Sequence, residues 1–346
     1  MPLEDALWEA TRPAFRVRYI HDPNAVPLYA SYGAATERTA RAKLTRIVRR
    51  APEVLVKVTG RQRGGGHVKA HLAYIGRKGK IGIETRDGEI LADKDEIAER
   101  AAEWSDTLQW RSRPTVSSVS LVFSMPAGTD PLKVLGAVRQ VADAEFGDNH
   151  DYVMALHIDT PRPHVHLTVQ AEGLDRNRFN PRPVQLNRLR ERFARELRAR
   201  GVAAEATPRR ARGKGVAGTS MALVKLRARL AGGAAPAMTD ADRRTSTQAL
   251  AVARGESPLP AFVPTGRARW DRIRAAYSRV ISALEATGQI DDRALAQDVR
   301  GFLDRQLEMR STPEIFAARY ARQLTTVQSQ TVASRDAGTR DEGRSR

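Results

Sequence analysis

The chain has 346 residues, room for one domain of average size plus a second element or extended tails. It holds 58 Lys and Arg against 40 Asp and Glu, a formal charge of +18 that seeks polyanions, nucleic acid before acidic membrane. It contains no cysteine, which excludes disulfides, thiol nucleophiles and Cys-ligated zinc and leaves His and carboxylates as metal ligands.

Residues 1–50 read as a basic-ended N-terminal extension with helical potential over 34–50. The early acids of Met1-Pro2-Leu3-Glu4-Asp5 and the lack of an apolar core predict no signal peptide and a cytoplasmic protein. No stretch approaches the roughly 18 apolar residues of a membrane span, so no membrane insertion is expected. From residue 51 the pattern becomes regular: a short β-branched strand over 53–59, a Gly/Arg loop over 60–66, a helix over 67–78 ended by Gly79, and a hairpin over 81–91 turning at Asp87-Gly88. The loop lacks the Gly-Lys-Ser/Thr ending of a phosphate-binding P-loop. A helix is predicted over 94–108. Residues 118–124 alternate, with Val119, Leu121 and Phe123 on one face and serines on the other. The next helix has Asp130 as its N-cap, Pro131 at its first position and Gly147 after its end. Strands over 152–158 and 164–170 flank a tight Pro-Arg-Pro link, and a helix over 184–200 carries Leu186, Leu189, Phe193 and Leu197 on one stripe.

Interleaved elements with hairpin-like links predict an α+β fold, an antiparallel sheet with helices packed on one face. This domain is expected over 51–228, followed by a linker over 229–266 marked by Ala/Gly/Pro-rich stretches, a helical C-terminal region over 267–330 and a disordered tail over 331–346.

The chemistry concentrates between residues 155 and 167. Alternate side chains of a strand share a face, so His164 and His166 point the same way. If the preceding strand returns antiparallel, His157 lies across from them, and three imidazoles converge where a divalent cation can sit. Asp159 is placed to orient one of them by accepting its second N–H. Zinc is the ion most often met on three histidines, whereas a phosphodiester substrate favours Mg²⁺ or Mn²⁺; ligand type leaves the choice open. Paired histidines on a strand are otherwise ordinary surface residues, and the third His with its Asp tips the balance toward metal. A nucleophile is offered by residues 67–79, where Val68, Leu72 and Ile75 make a buried stripe and His67, His71, Tyr74 and Lys78 an adjoining face. Tyr74 is a weak nucleophile at the ordinary phenol pKa of about 10, and Arg77 and Lys78 stand ready as neighbouring cations.

With these residues in place the chain resembles the relaxases of conjugative and mobilisable plasmids, HUH endonucleases of the branch that contains the T-DNA border endonuclease. His164-Val165-His166 matches the motif of two histidines around one hydrophobic residue, and His157 with Asp159 matches the upstream His-x-Asp. Tyr74-Ile75-Gly76-Arg77-Lys78-Gly79 matches the nucleophile segment, and Ser124-Met125-Pro126-Ala127-Gly128-Thr129 a strand-to-helix block. Asn180-Pro181-Arg182 and the stretch from Ala206 through Arg209, Arg210 and Arg212 to Gly213 complete five blocks, in the family's order over roughly residues 52–215. The resemblance implies Tyr74 and Asp159 as catalytic residues, His157, His164 and His166 as ligands of Mg²⁺ or Mn²⁺, and single-stranded or melted origin DNA as substrate. It also implies accessory relaxosome proteins and the coupling protein of a type IV secretion system as partners. His67 and His71 match no family position, and no carboxylate stands out as a base for Tyr74.

Residues 182–214 hold eleven Lys and Arg against three Asp and Glu. Beside a phosphodiester site such a run is expected to grip DNA, with Arg77, Lys78, Arg182, Arg209, Arg210 and Arg212 as its contacts. Two other readings of the whole stand beside the relaxase: an HUH enzyme of rolling-circle replication or transposition, and a non-catalytic DNA-binding accessory protein.

Overall fold

The computed structural model describes residues 2–11, 37–106, 115–212, 239–305, 313–323 and 325; the expected tail over 331–346 lies outside them. The chain divides into two compact units, Arg12–Pro208 and a second made of Met1–Thr11 with Arg209–Arg346.

In the first unit the alternating stretches pair into one sheet of six strands, β1 Leu55–Arg63, β2 Ile83–Thr85, β3 Ile90–Leu91, β4 Val116–Ser124, β5 Tyr152–His157 and β6 His164–Gln170. Their order is β1-β4-β6-β5-β2-β3 and every pairing is antiparallel. The α+β sheet is as expected. The β2–β3 hairpin turns at Asp87-Gly88 with Gly88 at φ 86°, a conformation that favours glycine.

Pleating sorts the side chains. Leu121 and Phe123 of β4 and Val165, Leu167 and Val169 of β6 face α5 (Pro131–Phe146) and α6 (Pro183–Ala199), meeting Val134, Val138 and Val141 of the first and Leu189, Phe193 and Leu197 of the second. Phe123 and Phe193 pack edge to face at 5.2 Å. The start of α5 is as predicted, with the Asp130 side chain accepting from the Leu132 N–H at 2.9 Å and Pro131 beside it.

The other face of the sheet is also covered, which differs from the one-sided arrangement expected. Val153 and Ala155 of β5 pack with Val68, Leu72 and Ile75 of α3 (Gly65–Ile75) and with Ile97, Ala101 and Trp104 of α4 (Lys94–Asp106). Ser118 and Ser120, opposite the apolar face of β4, are fully buried beneath this layer. Ser118 and Ser120 donate to Gln62 Oε1 at 2.8 and 3.1 Å, so hydrogen bonds inside the protein replace water.

Edge strand β1 is closed off by chain that returns after α6. Glu205 N–H donates to the Pro52 carbonyl at 2.9 Å and Val54 N–H to the Glu205 carbonyl at 3.1 Å. The buried Glu205 carboxylate accepts from Arg46 Nε of α2 (Glu37–Val48) at 2.8 Å, from Ala206 N–H at 3.0 Å and from the Thr207 hydroxyl at 2.8 Å. Burial pushes this carboxyl up, but Arg46 and Thr207 outweigh it and hold the pKa below the ordinary value.

The second unit is helical: α1 (Leu3–Thr11), α7 (Asp240–Ala253), α8 (Phe262–Ala286), α9 (Ile290–Asp304) and helical residues 313–323. Both α1 and α9 pack against α8. Tyr277 is buried, donates to the Ala211 carbonyl at 2.6 Å and lies edge-on to Phe302 at 5.5 Å. Two expected segments look different in structure. The stretch 229–266 contains α7, capped by Thr239, and the first residues of α8. The segment 1–50 splits, with α1 in the second unit and α2 in the first. Among the described residues no helix is long and apolar enough to cross a membrane.

A carboxyl whose folded pKa is depressed stabilises the fold above its unfolded pKa, and that stabilisation is lost as pH falls through the folded value. Glu205→Gln is expected to lower stability by about 2 kcal/mol at pH 7. Urea titrations of parent and variant should converge as the pH is brought below the carboxylate range.

Candidate metal centre and nucleophile

Two rows of paired residues cross the sheet. One runs Leu55, Ser124, His164, His157 from β1 through β4 and β6 to β5; the next runs Lys57, Val122, His166, Ala155. Residues paired across antiparallel strands share a face, so the three histidines converge as the alternation predicted. Their rings lie 4.6 Å (His157–His166), 5.1 Å (His157–His164) and 5.3 Å (His164–His166) apart. One nitrogen from each falls within 4.8 Å of the others, close enough for one ion.

The hydrogen bonds assign the tautomers of two of them. His157 Nε2 lies 2.6 Å from the Ile75 carbonyl and His164 Nδ1 lies 3.0 Å from the Arg162 carbonyl. A carbonyl only accepts, so both nitrogens carry the proton, leaving lone pairs on Nδ1 of His157 and Nε2 of His164. Nδ1 of His166 is buried without a hydrogen-bond partner among the described residues, a costly state for a polar atom that a ligand or ion can relieve. Burial, then the neighbouring imidazoles, push the pKa of His166 down to about 3, and burial also lowers that of His157. Neutral imidazoles at neutral pH are what a cation needs. The set fits a divalent ion.

The expected role of Asp159 as the partner of a histidine N–H is not what the structure places. Backbone carbonyls take those protons, and the exposed Asp159 pairs instead with Arg77. Arg77 Nη2 also sits 3.2 Å from His157 Nδ1, and the guanidinium lies 5.6 Å from the centroid of the Tyr74 ring. Arg77, expected to contact DNA, thus ties the nucleophile segment to the histidines.

Helix α3 ends at Ile75, three residues before the predicted stop. Gly76 lets the chain pass against Ile83, whose side chain a Cβ there would approach to 3.0 Å. Arg77 and Lys78 then adopt left-handed backbone at φ 53° and 59°. Tyr74 is left on the last turn, 57% exposed, with its ring edge-on to His166 at 6.3 Å and near His71 at 6.4 Å. The nucleophile predicted from one segment and the ligands predicted from another are therefore neighbours.

The DNA-contact residues are not gathered in the same way. Helix α6 lies on the face of the sheet away from the histidines. Its arginines are engaged within the fold: Arg188 and Arg192 with Glu145, Arg190 with the Val56 carbonyl, Arg198 with the Ala204 carbonyl, Arg195 and Arg200 with Glu196. Arg182 is exposed at the start of α6. Arg209 is exposed and Arg212 buried in a short 3₁₀ turn of the second unit; the side chain of Arg210 lies outside the described residues. Lys78 is exposed beside Tyr74. The motif reading missed Lys57 and Leu55, both exposed on β1 in the histidine rows. Their period-two alternation in β1 was the available signal.

Comparison with known proteins adds a second line of support. Residues 74–202 match the family model "Relaxase: MobA/VirD2-like, nuclease domain". The chain is 29% identical over 161 residues to the T-DNA border endonuclease VirD2 of Rhizobium radiobacter, covering 41% of this chain and 38% of the relative. It is likewise 29% identical over 161 residues to VirD2 of Agrobacterium fabrum, covering 36% of that protein. The chain therefore spans well under half the length of these relatives. A solved structure described as "Molecular Basis of Vancomycin Resistance Transfer in Staphylococcus aureus" superimposes at a TM-score of 0.31 with 14% identity, covering 46% of this chain and 99% of that one, too loosely to inform the site.

Replacing any one of His157, His164 or His166 by Ala is expected to weaken Mn²⁺ binding more than about tenfold. Titration calorimetry on the three variants, with circular dichroism to confirm the fold, measures this. Three variants that bind as the parent does refute the ligand set.

Proposed function

We propose that this chain, whose residues 74–202 match the MobA/VirD2-like relaxase nuclease model, is a relaxase that nicks and rejoins one DNA strand at the transfer origin of a mobile element. The observation that carries the reading is the exposed Tyr74 ring set 6.3 Å from the histidine cluster. A phenol beside a cation site is the minimum equipment for phosphoryl transfer to tyrosine.

In this reading Tyr74 Oη attacks the scissile phosphorus. The Oη–P bond forms, the P–O3′ bond breaks, and the departing 3′ oxygen takes up a proton while the phenol gives one up. The product is a 5′-phosphotyrosine with a free 3′-OH. One ester replaces another, so the step reverses when a 3′-OH returns, and the enzyme can seal what it cut. His157, His164 and His166 would hold Mg²⁺ or Mn²⁺, which when bound polarises the phosphate and offsets the charge gained in the transition state. The His157 Nδ1 lone pair that accepts from Arg77 would pass to the ion, and Arg77 would stay beside the nucleophile turn through its pairing with Asp159. Its guanidinium also lies over the Tyr74 ring, a cation–π contact that holds the ring beside the turn.

The strand is read as lying over the open half of the sheet, with the scissile phosphate at the histidines and its neighbour toward β1. Adjacent strands are about 4.8 Å apart, which puts Lys57 roughly 10 Å from the β6 histidines, one to two nucleotides along. Its ammonium takes a phosphate and the exposed Leu55 offers apolar contact to a base. The accessory relaxosome proteins, the coupling protein and the type IV channel belong to the same reading on family grounds alone.

Incubation with Mn²⁺ and an origin oligonucleotide is expected to give a covalent protein–DNA adduct that Tyr74→Phe does not form. A Tyr74→Phe protein that still forms the adduct overturns the nucleophile. Lys57→Ala is expected to weaken binding of all sequences alike and to reduce the salt slope of log K by about one. An unchanged slope in fluorescence anisotropy removes Lys57 from the path.

A further inference from the structure

His71 takes no part in the reaction above and matches no motif, yet it is mostly buried and fully engaged. Its Nε2 lies 2.7 Å from Ser120 Oγ and 3.0 Å from Thr168 Oγ1. Those two residues are partners across β4 and β6, so one imidazole bridges two central strands. Ser120 passes its hydroxyl proton to Gln62 Oε1 of β1, which makes Ser120 Oγ an acceptor from His71 Nε2–H. Burial lowers the pKa of His71 to about 4, so the ring is a neutral donor at neutral pH.

This bridge falls where the apolar packing of α3 is silent. Val68, Leu72 and Ile75 pack toward α4, β2 and β5, and no buried apolar residue of β4 or β6 joins that cluster. Dispersion contacts tolerate sliding, whereas a hydrogen bond fixes distance and angle. Tyr74 follows His71 by three residues and shares its side of α3. His166 precedes Thr168 by two residues and shares its face of β6. The four side chains close a loop, with ring separations of 6.4 Å for His71–Tyr74 and 6.3 Å for Tyr74–His166.

We propose that His71 is a positioning residue that sets the placement of Tyr74 relative to His166 by pinning α3 to β4 and β6 through Ser120 and Thr168. The inference rests on the relaxase reading above. Misplacing a reacting atom by about 1 Å costs on the order of a hundredfold in rate.

The test uses the full chain, saturating origin oligonucleotide and saturating Mn²⁺, and reads the single-turnover rate of adduct formation beside the affinities for DNA and Mn²⁺ and the melting temperature. His71→Leu is expected to slow adduct formation by about 10- to 100-fold while both affinities stay within about twofold. His71→Gln, whose amide supplies a donor near the position of Nε2, is expected to recover most of the rate. The double variant His71→Leu/Thr168→Val should be no slower than His71→Leu alone, since both remove one bridge. Should His71→Leu not fold, Thr168→Val takes its place against His71→Gln. A parent-like rate in His71→Leu, failure of His71→Gln to rescue in a folded protein, or additive losses in the double variant each overturn the positioning role. A parent chain that forms no adduct overturns the relaxase reading itself, a different result from parent-like cleavage by the variant.

Discussion

The candidate site depends on the register of β6 between β4 and β5. A strand's side chains alternate, so a slip of one residue would turn His164 and His166 into the apolar layer around Phe123 and Phe193 and expose Val165 and Leu167. Both faces resist that slip. On one, Val165, Leu167 and Val169 need the cover of α5 and α6; on the other, Thr168 needs its row partner Ser120 and the His71 bridge. The same placement sets protonation. Setting His157 and His166 into the face of a sheet withdraws them from water, so their neutral forms prevail. Geometry and chemistry follow from one alignment.

A second constraint is local and costly. Arg77 and Lys78 both hold left-handed backbone, worth on the order of 1 kcal/mol each against an ordinary conformation. The surrounding contacts explain why the turn persists. Arg77 reaches Asp159, His157 Nδ1 and the face of Tyr74 together, and the Ile75 carbonyl just before the turn receives the His157 Nε2 proton. A helix continuing through Lys78 would carry Arg77 round the axis and break these contacts. The strained turn is what joins the element bearing Tyr74 to the strands bearing the three histidines.

The legible parts of the sequence were those with a period. Alternation in β5 and β6 put three histidines on one face, and the capping residues of α5 announced its start. What stayed hidden depended on partners far away in the chain. Ser118 and Ser120 look like a wet face because their acceptor, Gln62, lies in another strand. Strand β1 was cut short because Gly60, Gln62 and Arg63 carry no apolar alternation; the pairing with β4 continues through them across two irregularities. The predicted stop of α3 at Gly79 falls late because glycine is the visible signal, while the helix ends where Arg77 and Lys78 turn left-handed, which their residue types do not announce. Asp159 reads as a histidine's partner because sequence cannot show that backbone carbonyls take the protons of His157 and His164.

The charge of the chain illustrates the difference between composition and placement. A run of arginines in α6 invites a nucleic-acid reading, yet a helix that buries Leu189, Phe193 and Leu197 on the α5 side of the sheet cannot also face the histidines on the other. Its arginines serve Glu145, Glu196 and backbone carbonyls, binding α6 to its neighbours. Among the described residues near the histidines, Arg77 is partly neutralised by Asp159, while Lys57, Lys78 and Arg162 are exposed near the rows, the turn and the β5–β6 link. A site that held DNA by surface charges alone would grip phosphates without reading bases. One built from a fixed cluster of imidazoles, one exposed phenol and a few flanking cations would, in the proposed reading, place a single phosphate instead. Under the proposed reading the product must remain aligned until the strand is resealed, and placement is then the scarcer property.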